Sequence, residues 1–301
     1  MAHIENMKGL LLAGGTGSRL FPATLAVNKH LLVLYDKPLI YYAISLFMKA
    51  GIRDITIVSS NIDLSFFKKL LGDGNNWGLF FTYVAQDEPR GTGHALQIGT
   101  ASIGSHDLMV CLADNLFVGW DPTDFLAKWQ KRGAMVFTKE VDDLRGFGVV
   151  NLDFDGNPVS IVEKPDSNGN GLAITGFYVL DRNASEIAFS ITPSERGELE
   201  ITDVIARYME MGALEVAQLD ESTFWSDVGT HDAWHRASNH IREVQAQSSE
   251  MIGCPEEIAL RRGWVPASEV ERQASRMNGS AYGEYLRSLV EGRYQGKLAG
   301  R

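Results

Sequence analysis

At 301 residues and 45% hydrophobic composition, the chain can bury the core of one large α/β domain, or of one domain with an appendage. A formal charge of −10 excludes a general attraction for nucleic acid or for an anionic membrane. Any phosphate it binds must therefore meet a few placed cations and backbone N–H groups. Cys111 and Cys254 lie far apart in no metal-ligand spacing, which fits a reducing cytoplasm and no disulfide framework. No apolar run approaches the length of a membrane span. Met1 to Asn6 is polar and the apolar run after Met7 breaks at Gly14-Gly15, so no signal peptide is read and the first six residues read as an extension.

From Met7 the chain alternates short apolar runs with amphipathic stretches. Gly9 to Ala13 reads as a buried strand followed by a Gly-rich loop, and Pro38 to Ala50 as a helix that Gly51 ends. A strand at Ile55 to Ser59, a helix at Leu64 to Leu71, a strand at Phe80 to Val84, a helix near Gly93 to Thr100 and a strand at Leu108 to Leu112 follow. Strands alternating with helices predict a doubly wound, mostly parallel sheet covered on both faces. The middle changes character. Gly148 to Phe154, a turn at Asp155-Gly156-Asn157, and Val159 to Val162 read as a β-hairpin, and Ala173 to Leu180 as another strand. They form an inserted β-rich part placed to cover the ligand side of the sheet. Helices near Ile201 to Met211 and Ala233 to Ala246 lead to a more polar helical tail after Ser248.

The loop Leu12-Ala13-Gly14-Gly15-Thr16-Gly17-Ser18-Arg19-Leu20 follows the first strand, where ligands of open α/β sheets bind. Its glycines let backbone N–H groups approach phosphate oxygens. Leu20 stands where the dinucleotide fingerprint needs glycine, and no Gly-Lys-Ser/Thr follows, so neither a nicotinamide-nucleotide fingerprint nor a Walker loop is present. Arg19 and Lys29 just beyond the turn suit a triphosphate whose leaving pyrophosphate gains charge. Asp114 ends the apolar run Leu108 to Ala113, and Asp227 follows Phe224-Trp225-Ser226. Two carboxylates at strand ends can share one Mg²⁺, and spacing alone equally allows each to cap a helix. His231 and His235 sit at i, i+4, but Asp232 stands where the zincin pattern requires Glu. Thr230 and Asp232 read instead as the start of a helix.

The string Gly14-Gly15-x-Gly17-x-Arg19-Leu20-x-Pro22-x-Thr24 with Lys29 resembles the sugar nucleotidyltransferases. Longer strings resemble the glucose-1-phosphate thymidylyltransferase branch of that family: Tyr35-Asp36-Lys37-Pro38-Leu39-Ile40-Tyr41-Tyr42, Arg196-Gly197-Glu198-Leu199-Glu200-Ile201-Thr202-Asp203, Trp225-x-Asp227-x-Gly229-Thr230-His231 and Cys254-Pro255-Glu256-Glu257-Ile258-Ala259. The resemblance runs from Met7 to about Leu286. It implies a Rossmann-like nucleotidyltransferase domain over residues 7–247, with a sugar-binding part at about 145–230, and a helical appendage at 248–301.

It implies dTTP, or UTP, and a sugar 1-phosphate as substrates, in a cytoplasmic homotetramer. By the same resemblance, Arg19, Lys29 and Lys164 are expected to carry the catalysis, and Asp114 and Asp227 to hold Mg²⁺. Leu12, Gly14, Gly15, Gly17, Gln86 and Gly91 are expected to bind the nucleotide. Gly148, Glu163, Lys164, Thr175, Tyr178 and Arg196 are expected to bind the sugar phosphate. On this reading the Gln86 amide, one donor and one acceptor, reads thymine or uracil. One stretch departs from the thymidylyltransferases: Gly91-Thr92-Gly93-His94-Ala95 is similar to a string of the uridylyltransferases in the same superfamily.

Overall fold

In a computed structural model of the chain, residues 6–130, 132–166 and 169–292 are described. The expected N-terminal extension, Asn6 apart, lies outside them, as do residues 293–301 of the tail. The strands are β1 (Lys8–Leu12), β2 (Val33–Leu34), β3 (Lys37–Pro38), β4 (Asp54–Ser59), β5 (Phe80–Ala85), β6 (Leu108–Leu112), β7 (Asn115–Val118), β8 (Ala134–Val141), β9 (Gly148–Leu152), β10 (Pro158–Glu163), β11 (Gly171–Leu180), β12 (Leu214–Gln218) and β13 (Phe224–Asp227). The helices are α1 (Leu39–Lys49), α2 (Asn61–Leu71), α3 (Thr92–Ile103), α4 (Thr123–Lys128), α5 (Ala184–Ser190), α6 (Ile201–Glu210), α7 (His231–Ser248), α8 (Pro255–Arg261), α9 (Ala267–Arg276) and α10 (Ala281–Val290). No helix among the described residues is long and apolar enough to cross a membrane.

The continuous apolar runs become the centre of a 9-stranded sheet, in which β6, β1, β4 and β5 lie side by side and parallel. Alternate residues of one strand feed two cores. Leu11 and Cys111 pack with α1, while Leu10, Leu12 and Val110 pack with the buried side chains of α3 and α6. A strand buried on both faces needs apolar residues at every position, which is why Leu10-Leu11-Leu12 shows no alternation. Beyond β6 the sheet turns antiparallel. β11 pairs with β6 through Phe177 to Leu180, and with β8 along most of its length. The expected hairpin is β9 and β10, hung on the first half of β11. Its turn is tied by Asp153 Oδ1, which accepts from the backbone N–H of Asp155 (2.9 Å) and of Asn157 (2.8 Å).

β11 therefore belongs both to the central sheet and to the inserted part, and this fastens the two together. Around its second half stands an aromatic cluster: Trp120 lies 5.0 Å from Phe177 and 5.1 Å from Phe137 between ring centroids. β8 and β12, which the sequence reading did not single out, extend this edge as a parallel pair. The helical tail packs back on the first half through Lys37, whose buried Nζ donates to the Ile252 carbonyl at 2.9 Å.

Candidate active site

A cavity of about 520 Å³ opens at the carboxyl ends of β1 and β6. It is where a sheet of this kind presents loops without covering them by helices. Gly14 and Gly15 line one end, and Gly15 takes a left-handed φ of +95° that lets the loop double back. Arg19 and Lys29 follow on two short helical turns. The Lys29 turn is fixed from behind: Asn28 accepts from the backbone N–H of His30 at 2.9 Å and donates to Asp63 of α2 at 2.9 Å. His30 lines the cavity as a neutral imidazole, since burial, then the Lys29 charge, lower its pKa to about 3.

The two strand-end acids meet. β13 pairs antiparallel with β7, setting Asp227 opposite Asn115, and the Val228 N–H donates to the Asp114 carbonyl at 2.8 Å. Neither acid caps a helix; the cap of α7 is Thr230, whose side chain accepts from the Ala233 N–H. Asp114 is ion-paired with Lys29, and Arg19 Nη2 lies 3.5 Å from Asp227 Oδ2. Burial raises the Asp114 pKa, but the charge of Lys29 and its hydrogen bond work against it, and the carboxyl lies at about 2. Burial first, and the Asp114 charge second, push Asp227 up to about 6. The pair is thus short of positive charge. Hard carboxylate oxygens from the turn between β6 and β7 and from the end of β13, open to a cavity, make a donor set that fits one divalent cation.

At the other end Glu163 closes β10, and Lys164 follows with a left-handed φ of +43°. Non-glycine residues hold that conformation only when their surroundings impose it. Here the Lys164 N–H donates to the Phe147 carbonyl at 2.9 Å, and Pro165 comes next. Lys164 Nζ lies 3.1 Å from Glu163 Oε1, and Thr202 donates to Glu163 Oε2 at 2.9 Å. Gly148 faces Thr202 so closely that a Cβ there would lie 2.5 Å from its methyl group. Gln86 stands by the Gly-rich loop with its amide nitrogen 3.2 Å from the Gly91 carbonyl.

Of the residues singled out in the sequence, Leu12, Gly14, Gly15, Arg19, Lys29, Gln86, Gly91, Asp114, Gly148, Glu163, Lys164, Tyr178 and Asp227 line the one cavity. Three do not. Gly17 sits a turn away, its carbonyl accepting from Thr24 at 2.8 Å. Arg196 stays outside the lining, with Nη1 3.3 Å from Glu200 and 3.6 Å from Glu163. Thr175 is a correction: it is fully buried, and its hydroxyl donates to the Phe137 carbonyl on the far side of β11. Gly91 lines the cavity, yet its bare Cα answers a different need. A Cβ there would stand 2.4 Å from the Leu199 carbonyl oxygen, which packs the segment before α6 onto the loop before α3. Thr202, Glu200 and Asn115 also line the cavity and were not singled out as site residues. The first two lie inside a string already quoted, and Asn115 directly follows Asp114.

The model of the nucleotidyl transferase family matches residues 8–244. The chain belongs to that family. Over 286 residues it is 42% identical to the glucose-1-phosphate thymidylyltransferase of Xanthomonas campestris pv. campestris (strain B100), covering 94% of this chain and 97% of the relative. The enzyme of the same name from Neisseria gonorrhoeae is 43% identical over 286 residues, 94% of this chain and 99% of its own. Among solved structures, a chain described as a glucose-1-phosphate thymidylyltransferase from Bacillus anthracis, in complex with sucrose, superposes with a TM-score of 0.73 at 37% identity, over 79% of this chain and 96% of its own. A UDP-glucose pyrophosphorylase with UDP-glucose bound superposes at 0.70 with 28% identity, over 79% of this chain and 99% of its own. The chain is a sugar-1-phosphate nucleotidyltransferase, built on the α/β fold that the alternation of strands and helices predicted.

Proposed function

We propose that the protein transfers the thymidylyl group of dTTP to α-D-glucose 1-phosphate, giving dTDP-glucose and pyrophosphate. The observation that carries this is one cavity with Arg19 and Lys29 beside its Gly-rich loop, Glu163 and Lys164 at its opposite end, and Asp114 with Asp227 between strands. The names of the relatives supply the substrates. Lys164 holds the sugar 1-phosphate and Glu163 accepts from sugar hydroxyls. A phosphate oxygen of the sugar phosphate attacks the α-phosphorus of the triphosphate, and pyrophosphate leaves opposite to it. Arg19 and Lys29 take up charge on the departing phosphates, so positioning and electrostatics carry the step without a covalent enzyme intermediate. Asp114 and Asp227 would hold Mg²⁺, which when bound screens the repulsion between the two anions.

Gln86 reads the base, and its environment supports a pyrimidine with a protonated N3. UTP is the second reading. The Gly91-Thr92-Gly93-His94 string and the likeness to a chain holding UDP-glucose favour it. The protein works in the cytoplasm as a homotetramer, which light scattering at micromolar concentration tests by the mass it reports. The deciding experiment is pyrophosphate release over a matrix of the common nucleoside triphosphates and several sugar 1-phosphates. dTTP with glucose 1-phosphate is expected to be fastest. Faster turnover of CTP, ATP or GTP than of both dTTP and UTP would overturn the reading.

A further inference from the structure

Gln86 is 8% exposed, and its amide has three neighbours. The nitrogen Nε2 lies 3.2 Å from the Gly91 carbonyl oxygen and 3.2 Å from Nδ1 of His94. The oxygen Oε1 lies on the side of Gly14, where a Cβ would stand 3.1 Å from it. A backbone carbonyl can only accept, so the amide group facing Gly91 must be the NH₂. Its second N–H is then available to His94, and Nδ1 must be the unprotonated nitrogen of that ring. With both amide hydrogens directed at protein acceptors, no described residue donates to Oε1. The cavity is offered a lone acceptor.

We infer that His94, through this contact with Gln86, is a positioning residue for base selection. The two acceptors, Gly91 O and His94 Nδ1, hold the amide so that Oε1 alone meets the base. An acceptor there pairs with the N3–H of thymine or uracil and is repelled by the bare N3 of cytosine. Reversing the amide to suit cytosine would set Oε1 against the Gly91 carbonyl, two acceptors facing without a hydrogen, and would require the His94 ring to change tautomer as well. His94 is the third residue of α3, in the first turn of the helix that Gly91 caps, so the acceptor is held by rigid backbone. It also lies in the stretch Gly91-Thr92-Gly93-His94-Ala95, where the chain departs from the thymidylyltransferase pattern. The orientation of the base-reading amide in this protein is thus supplied by a residue that the pattern does not provide.

The inference rests on the reading of Gln86 as the base contact, and the test separates the two. Selectivity is the ratio of kcat/KM for dTTP over CTP, measured by pyrophosphate release with glucose 1-phosphate saturating. His94→Leu keeps the side-chain bulk and removes the acceptor, whereas His94→Asn restores an acceptor close to the place of Nδ1. His94→Leu is expected to lower the ratio about fivefold, the scale of one hydrogen bond, and to raise the KM for dTTP without moving that for glucose 1-phosphate. His94→Asn is expected to recover most of both. A purely structural role would move the two variants together and would disturb both substrates. Gln86→Leu is the control. If it collapses the ratio while His94→Leu leaves it at the parent value, His94 does not orient the amide and the inference is overturned. If Gln86→Leu itself leaves the ratio unchanged, Gln86 does not read the base, and the inference falls with that reading.

Discussion

Asp227 owes its raised pKa to burial and to Asp114, and the same two features make it a ligand in search of a cation. Asp114→Asn and Asp227→Asn remove one charge each and little volume. Each is expected to lower kcat at saturating Mg²⁺ by about a hundredfold or more, the scale of losing a group that stabilises transition-state charge, with an unchanged circular dichroism spectrum. A rate near the parent value in either variant would remove that residue from the metal site. Thr202 acts at one remove. Its hydroxyl occupies one oxygen of Glu163, so the carboxylate is turned before a sugar arrives. Thr202→Val keeps the shape and loses the donor. The KM for glucose 1-phosphate is expected to rise about fivefold, the scale of one hydrogen bond, while the KM for dTTP stays. Equal changes in both would assign Thr202 to packing instead.

At the scale of elements, the sheet centre was legible in the sequence because strands buried on both faces leave unbroken apolar runs, as in Leu10 to Leu12 and Leu108 to Leu112. The hairpin was legible through Asp155-Gly156-Asn157. β8 was not, because Lys139 and Glu140 interrupt its apolar run where the strand leaves the core. The error at Thr175 was avoidable. A strand alternates faces, and Ile174, Gly176 and Tyr178 line the cavity, so Thr175 and Tyr178 stand on opposite faces by parity alone.

The last helices anchor through buried polar groups that no hydrophobic pattern reveals. Tyr282 donates to Glu256 Oε2 at 2.5 Å, and burial holds that carboxyl above its ordinary value despite the hydrogen bond. Tyr282→Phe should cost ~1–3 kcal/mol in urea unfolding, as for a buried polar group left without its hydrogen-bond partner. A folded pKa above the unfolded one means that folding favours the protonated acid. The contribution of Glu256 is therefore greatest below the ordinary 4.5 and declines as pH rises through the folded value. The variant raises that folded value further, so its unfolding midpoint should fall more steeply with rising pH than the parent's. Parallel midpoint curves would show that the hydrogen bond does not govern the ionisation of Glu256.

The molecule as a whole is an acid that must bind two acids. Its formal charge of −10 gives phosphates no attraction from a distance. The cavity does not reverse this by itself. Arg19, Lys29 and Lys164 line it, but so do Asp114, Glu163, Glu198, Glu200 and Asp227, and acids outnumber bases. The bases are also engaged: Lys29 with Asp114, Arg19 near Asp227, Lys164 with Glu163. A triphosphate approaching this end must take Lys29 and Arg19 away from carboxylates that are then left side by side in a poorly solvated place. One added divalent cation resolves the conflict, because it satisfies the carboxylates and frees the side-chain cations for the phosphates. Metal removal should therefore weaken binding as well as stop turnover. Titration calorimetry with dTTP after chelation is expected to show affinity at least about tenfold below that with Mg²⁺, more than 1.4 kcal/mol. In Asp114→Asn the same comparison should show a smaller difference, since both the metal site and the competing anion are reduced. If chelation leaves dTTP affinity unchanged in the parent protein, Lys29 and Arg19 suffice for the triphosphate, and the two aspartates serve some purpose other than holding a cation.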